Sequence, residues 1–333
     1  MPASPCAYQL LDMLTGYQTP AIVMAAHRVG LFRALGDGPA SLAELACRLQ
    51  VPERSLGILL RACMALDLVV ARDGHYANGP LAAETLVPGQ PGYLGRLVDK
   101  EAFFYGAWAE LADCVRNDRP ALAPLQQRAR SDPETTRNFL AALDDIAALY
   151  GSEFAMRLDL DGARRLLDVG GGVGSYAIAA VRRYPELQAT IVELPEVVPW
   201  AREFVAEAGL SERIAVQALD FMTDEFPAGY DAILFSNIFH DQATTVNQGL
   251  LAKAYRALPA GGRVVVYDFL LEPDRATPAA SAIFAVMMVV ENQWGNVYTA
   301  AEIEGWLAGA GFRGGSTVHL SPPSPMGLIS GVK

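Results

Sequence analysis

The stretch Leu166-Leu167-Asp168-Val169-Gly170-Gly171-Gly172-Val173-Gly174-Ser175 decides the fold. A short apolar run predicts a strand, the glycines predict a tight loop, and the residues from Ser175 predict a helix. Glycines at 170, 172 and 174 let the backbone turn sharply and let a ligand approach atoms that side chains would cover. The helix start offers unpaired N–H groups to whatever the loop holds. A carboxylate at the end of the next strand suits a ribose, and Glu193 stands there. The loop speaks for a nucleoside ligand without naming one.

Outward from this loop, strand and helix patterns alternate. Strands are expected over 166–169, 189–192, 214–219, 231–235 and 264–267. Helices are expected over 175–184, 196–208, 244–258 and 299–310, and a final strand pair near 317–320 and 327–331. Such repetition predicts a parallel sheet covered on both faces, with its ligand crevice at the carboxyl ends of the strands. Polar residues gather at those ends. Glu193 ends the second strand, Asp220-Phe221-Met222 the third, Ser236-Asn237 the fourth with His240-Asp241 just beyond, and Asp268 the fifth. One glycine loop is a weak signal; this ordered set is a strong one.

Upstream, residues 8–36 read as an amphipathic helix pair whose apolar stripe packs in a domain core or on a second copy of the chain. Ser41 with Glu44 forms a capping-box pattern at the start of a helix over 42–49. A second helix runs from Pro52 to about Leu66, and Arg72-Asp73-Gly74 turns a hairpin between 68–70 and 75–77. Helix, turn, helix and hairpin make a winged helix. Its basic residues (Arg28, Arg33, Arg48, Arg54, Arg61, Arg72) are matched one for one by Asp12, Asp37, Glu44, Glu53, Asp67 and Asp73. That balance, with a formal charge of −11 for the 333-residue chain, argues against nucleic acid and anionic membranes. A structural or dimerising role remains.

Residues 90–160 read as helical. Phe103, Phe104, Tyr105 and Trp108, then Phe139, Leu143, Ile146 and Leu149, belong to a core or line a pocket for an apolar ligand. Asp144 and Asp145 lie beside that stripe, one of them expected to be solvated. Cys6, Cys47, Cys63 and Cys114 show no CxxC spacing and read as reduced packing residues of a cytoplasmic protein without a signal peptide. Ile283–Val290 is apolar but too short to span a bilayer. No metal is expected. The boundaries implied are 1–90 for a winged-helix-like dimerisation domain, 91–160 for helices of a linker and pocket, and 161–333 for a ligand-binding catalytic domain.

The ordered set resembles the S-adenosylmethionine-dependent small-molecule O-methyltransferases with a winged-helix dimerisation domain, a family that includes plant caffeic acid and bacterial natural-product enzymes. The carriers are Asp168–Gly174, Val192-Glu193-Leu194-Pro195, Leu219-Asp220-Phe221-Met222, Phe239-His240-Asp241, Ala257–Gly262 and Thr299-Ala300-Ala301-Glu302. The resemblance implies a Rossmann-like, seven-stranded α/β sheet and a homodimer with intertwined N-terminal helices. It implies that Asp168, Gly170, Gly172, Gly174, Glu193, Leu194, Asp220, Phe221, Ser236 and Asn237 surround S-adenosyl-L-methionine. Glu193 would take the ribose hydroxyls, with Asp220 and Phe221 beside the adenine. His240 falls on the family's general base, and Asp268 on the acid that orients it. His27, His75 and His319 lack such context.

A phenol with pKa about 10 is little ionised at neutral pH. An imidazole placed to take its proton as the oxygen attacks the methyl is worth about 10²–10⁴ in rate. A carboxylate on the second ring nitrogen fixes the tautomer and supports the imidazolium. The sequence departs from the family in three places. Ser236-Asn237 replaces a Lys-Trp pair, Gln242 replaces a Trp, and Val297 stands where a second acid braces the histidine. Base catalysis then rests on one carboxylate, or Glu291 substitutes from the preceding loop. Met287, Met288, Glu291, Asn292 and Trp294, with Phe104, Trp108, Phe139 and Leu143, are the expected walls for an aromatic or polycyclic acceptor. The departures keep C- or N-methylation, or a relative that no longer transfers methyl, open. A winged-helix regulator sensing a nucleoside and a nicotinamide-binding domain fit the whole set less well.

Overall fold

The computed structural model describes residues 5–333, and the chain divides into two compact units, the first ending at Gly106 and the second beginning at Ala107. The first unit begins with three helices, α1 (Pro5–Thr15), α2 (Gln18–Arg28) and α3 (Leu31–Gly36). The pair expected over 8–36 is therefore a trio, because Gly30 takes a left-handed φ of 83° and ends the α2 segment. Next come β1 (Ala40–Ser41), α4 (Leu42–Leu49), α5 (Glu53–Ala65), β2 (Val69–Arg72), β3 (His75–Asn78), α6 (Pro80–Thr85) and α7 (Gly95–Trp108).

The capping box is made in both directions. Ser41 Oγ accepts the Glu44 N–H at 3.3 Å, and Glu44 Oε2 accepts the Ser41 N–H at 2.7 Å. The hairpin β2–β3 forms as expected, and β1 adds a third antiparallel strand to β3. Phe32, Leu45, Leu56, Leu60 and Cys63 fill the core behind it. By contrast α1 buries nothing: Tyr8, Leu10, Leu11, Met13 and Leu14 are all more than half exposed in the single chain. Cys63 and Cys114 are packing residues, whereas Cys6 and Cys47 are exposed, contrary to the expectation for all four.

The second unit continues with α8 (Leu111–Asn117), α9 (Leu125–Ser131), the 25-residue α10 (Pro133–Arg157), β4 (Arg165–Val169), α11 (Ser175–Arg183), β5 (Gln188–Glu193), α12 (Val198–Glu207), β6 (Ile214–Ala218) and β7 (Ala232–Ser236). A 3-10 turn at Phe239–Asp241 precedes α13 (Thr244–Ala257), β8 (Arg263–Leu271), α14 (Ala279–Glu291), β9 (Tyr298–Thr299), α15 (Ala300–Ala310), β10 (Arg313–His319) and β11 (Met326–Val332). The helices expected over 91–160 are thus shared between the units. Among the described residues no helix is long and apolar enough to cross a membrane.

Seven strands run in the order β6-β5-β4-β7-β8-β11-β10, and the two-residue β9 pairs with β8. Strands β4 to β8 are parallel; β11 and β10 are antiparallel. Alternate side chains feed two cores. Leu166, Ile191 and Leu234 pack on one face of the sheet, and Leu167, Val192, Ile233 and Phe235 on the other. The strand order reverses between β4 and β7, and that switch point opens the crevice where a ligand fits. One strand end differs from the expectation. Parallel pairing of β7 with β8 stops at Tyr267, but β8 runs on to Leu271 because β11 pairs with it as far as Phe269 and β9 pairs with Leu270 and Leu271. Asp268 therefore lies within a strand rather than at its end.

Candidate active site

The glycine loop is shaped by the absence of side chains. Gly170 and Gly174 have φ of 65° and 95°, and a Cβ on either would come within about 2.5 Å of an isoleucine methyl, from Ile238 and Ile191 respectively. A Cβ on Gly171 would strike the Asp168 carboxylate. Gly172 is different: its φ is 58°, and nothing lies within 4 Å of where its Cβ would be. That open side is the part of the loop a ligand can approach.

Glu193 closes the cradle. Its Oε1 accepts the Gly172 N–H at 3.2 Å, and its Oε2 accepts the Leu194 N–H at 2.5 Å. Each oxygen keeps a lone pair for one further donor, which matches a ribose diol. Burial pushes Glu193 up to about 7, against the pull of the Leu194 and Gly172 N–H groups. Burial and then the Glu193 charge push fully buried Asp168 up to about 7 as well. The Ala177 N–H and the Ser236 hydroxyl lie near its oxygens, opposing that shift, without reaching full hydrogen-bond geometry. The chemistry of this donor and acceptor set fits a nucleoside with free ribose hydroxyls.

The next wall is the loop after β6. Leu219 N–H donates to the Glu193 carbonyl at 2.9 Å, which ties the two strand ends together. Asp220 Oδ1 accepts the Met222 N–H at 2.9 Å and Asp224 Oδ2 accepts the Asp220 N–H at 3.0 Å. Asn237 follows β7 with a left-handed φ of 55°, and its amide reaches the Tyr176 hydroxyl at 3.4 Å. Ser175, at the start of α11, donates to Asp144 Oδ1 at 2.6 Å. Asp145 is buried, so neither aspartate of that pair is simply solvated.

His240 sits in the 3-10 turn, 7% exposed. Its Nδ1 donates to Asp268 Oδ1 at 2.6 Å, and its backbone N–H to Asp268 Oδ2 at 3.1 Å. The Phe269 N–H also donates to Oδ1, at 2.8 Å. Asp268 is thereby held on three sides, and it fixes the ring with Nε2 free of backbone partners. Nε2 faces Asp241 Oδ1 at 3.5 Å, which is itself held by the Asn292 amide at 2.6 Å. Phe284 meets the imidazole edge-on at 4.9 Å and stacks on Phe269 at 3.8 Å. Burial works against a charged imidazole, but Asp268, Asp241 and the more distant Glu291 outweigh it and raise His240 to about 9. Burial and the carboxylates of Glu291 and Asp268 raise Asp241 to about 7, against His240 and Arg128. A third of the Asp241 side chain remains open to solvent, which screens part of that effect.

Glu291 is the last residue of α14, not part of a loop, and its carboxylate is paired with an arginine. It accepts from Arg128 Nη2 at 2.8 Å, and both side chains are nearly buried. Arg128 in turn lies over the Phe139 ring at 5.1 Å. One arginine thus joins two residues expected to wall the acceptor. Val297 is fully buried, and no second carboxylate stands in its place. Phe139 and Leu194 pack with Val173 and Val197 beside the glycine loop. Met288 is 1% exposed and belongs to the core, whereas Met287 is half-buried and Trp294 is 64% exposed. Leu143 and Leu149 are exposed in the single chain, not packed along a core stripe. Trp108 is half-buried at the end of α7; Phe104 is fully buried in the first unit.

Four residues of this region escaped sequence reading: Arg128, Phe284, Asn247 and Lys253. Arg128 carries no motif. Phe284 sits in an apolar helical run where periodicity separates core from pocket poorly. Asn247 is fully buried and donates to the Phe239 carbonyl at 2.9 Å, holding the His240 turn; a polar residue in an apolar helix face was the available signal.

Comparison with known proteins gives the family of the chain. Residues 108–313 match the model of the O-methyltransferase domain, and residues 11–88 that of the O-methyltransferase dimerisation domain. The chain is 38% identical over 328 residues to a 3-hydroxy-5-methyl-1-naphthoate 3-O-methyltransferase of Streptomyces sahachiroi, covering 97% of this chain and 94% of that one. It is 32% identical over 288 residues to the N,N-dimethyltransferase OxyT of Streptomyces rimosus, covering 83% of each. Among solved structures, PigF with SAH superposes with a TM-score of 0.89 at 30% identity, over 98% of this chain and 99% of that one.

Proposed function

This chain belongs to the O-methyltransferase family that carries an O-methyltransferase dimerisation domain, and we propose that it methylates a hydroxyl of a small aromatic or polycyclic metabolite with His240 as general base. The observation that carries the reading is the imidazole locked through Nδ1 to Asp268, with Nε2 turned away from that pair towards the partly exposed Asp241 carboxylate at 3.5 Å. When bound, S-adenosyl-L-methionine supplies an electrophilic methyl group. Glu193 and the glycine loop hold its nucleoside and amino-acid parts, with Asp220 and Phe221 at the adenine. Ser236 and Asn237 line the crevice floor. His240 removes the hydroxyl proton as the oxygen attacks, and Asp268 keeps the ring oriented and supports its charge.

The raised pKa of His240, about 9, lies close to that of a phenol, so the proton moves between groups of similar affinity. The same shift keeps most of the imidazole protonated at pH 7, so turnover rises with pH. Phe139, Met287, Asn292 and Trp294 supply the acceptor walls in this reading. The enzyme is a cytoplasmic homodimer, and the exposed apolar side of α1 supports the pairing. The 38% identical naphthoate enzyme favours a hydroxylated bicyclic acid as first acceptor.

Incubation with labelled S-adenosylmethionine and a panel of hydroxynaphthoates and phenols tests the proposal. Label in an aryl methyl ether is expected; no transfer to any acceptor, with normal cofactor binding, removes it. The similarity to an N,N-dimethyltransferase supports a second reading, methylation at nitrogen, and NMR of the product of an aminophenol distinguishes the two.

A further inference from the structure

We propose that Lys253 is a positioning residue for the cofactor, holding the 220–224 loop in the shape that receives the adenine. The inference rests on the reading of Asp220 and Phe221 as the adenine site. Lys253 lies on α13, and its Nζ donates to the carbonyls of Phe221 at 2.9 Å, Met222 at 3.1 Å and Asp224 at 2.8 Å. An ammonium has three N–H groups, and all three are spent on one loop. Three carbonyl dipoles aimed at one point repel each other unless a cation sits there.

The other bonds of the loop are internal. Asp220 and Asp224 bond each other's neighbourhood, and the Thr223 and Asp224 N–H groups donate to the Asp220 carbonyl at 3.1 and 2.8 Å. They shape the turn; Lys253 fastens it to a helix. That helix also carries Asn247, which holds the His240 turn. One helix therefore braces the loop that receives the adenine and the turn that carries the base.

Lysine is used here as a point charge with three divergent donors. Methionine keeps the length of the stem and removes every donor; arginine keeps the charge in a planar fork that reaches the three carbonyls less well. Calorimetric titration with S-adenosylhomocysteine compares the wild type with K253M, K253R and D220A. K253M is expected to raise the Kd about tenfold or more, and K253R by less. KM for S-adenosylmethionine rises with it, whereas kcat at saturation changes far less. Amide exchange of the cofactor-free K253M protein is expected to quicken over residues 219–226 and to stay unchanged over 166–174. D220A weakened with K253M unchanged overturns the role of Lys253 and leaves the adenine site standing. Both unchanged overturns the adenine site, and the proposal with it. Faster exchange along the whole of the K253M chain makes Lys253 a general stability residue and overturns the positioning role.

Discussion

The cradle at Gly170–Gly174 and the cluster around His240 follow the carboxyl ends of two neighbouring parallel strands, yet they are built by opposite means. The cradle is backbone. Its donors are N–H groups, its shape depends on missing side chains, and its one essential side chain, Glu193, ends the neighbouring strand. The His240 cluster is side chains. It gathers Asp268 from β8, Asn292 from beyond α14, Glu291 from the end of α14 and Arg128 from α9. A backbone cradle tolerates almost any neighbours but few substitutions within itself. A side-chain cluster tolerates changes at its rim and fails when the central pair is broken. The difference teaches that binding and chemistry are separable here, and substitutions can test that.

The largest expected effect is at the central pair. His240→Ala lowers kcat by about 10²–10⁴ while leaving the Kd for S-adenosylhomocysteine unchanged. Asp268→Asn lowers kcat by a similar factor, and its pH–rate profile moves to lower pH because the charge that raises His240 is gone. Loss of cofactor affinity in either variant would break the separation. Stability follows the same titration. A folded-state pKa raised from 6.5 to about 9 stabilises the fold fully below pH 6.5, and that contribution is lost as pH rises through 9. The melting temperature of the wild type therefore falls between pH 7 and 9.5, and that of His240→Ala falls less.

The mirror substitution is Gly171→Ala. The added Cβ meets the buried Asp168 carboxylate, and overpacking of this kind costs about 1–3 kcal/mol. Cofactor affinity is expected to fall about tenfold or more by calorimetry. The His240 titration, followed by NMR, stays in place, because the carboxylates that set it, Asp268, Asp241 and Glu291, all lie outside that loop.

These two regions were not equally legible in the sequence. Glycine spacing, a strand-end carboxylate and the alternation of strands with helices are local patterns, and they lead directly to the cradle and to the parallel sheet whose carboxyl edge carries it. His240 and Asp268 were found through the spacing of a resembled family; the structure adds their 2.6 Å contact. The reach of β8 past Asp268 was hidden because an antiparallel partner almost sixty residues on, β11, prolongs it. Arg128 was hidden for the same reason in another form. Nothing near it in sequence marks a partner on α14, and one of two arginines in a short helix reads as surface. Exposure of α1 and of Leu149 was likewise invisible, since periodicity finds an apolar stripe but not what covers it.

A smaller effect probes the electrostatics of the cradle. Glu193 accepts hydroxyl hydrogens best when ionised, and its pKa is raised to about 7. The wild-type Kd for S-adenosylhomocysteine is therefore expected to weaken several-fold as pH falls from 8 to 6. Glu193→Gln weakens binding about tenfold at pH 8 and flattens that dependence, since a neutral amide accepts one hydroxyl poorly and does not titrate. A steep pH dependence retained in the variant would move the effect to Asp168.

The smallest effect sharpens the boundary of the side-chain cluster. Glu291 stands near the place where the resembled family has a second brace for the histidine, but in this chain it is paired with Arg128 instead. Glu291→Gln keeps a partner for the guanidinium and removes only a charge. That charge is the weakest of those raising His240, so the alkaline rise in kcat/KM should move to lower pH by less than about one unit, with little change in kcat. A loss of kcat as large as that of Asp268→Asn would instead make Glu291 a direct brace of the imidazole, brought into contact only when an acceptor displaces it from Arg128. The two outcomes differ by orders of magnitude in kcat, so one variant decides whether Glu291 joins Asp268 in bracing the imidazole.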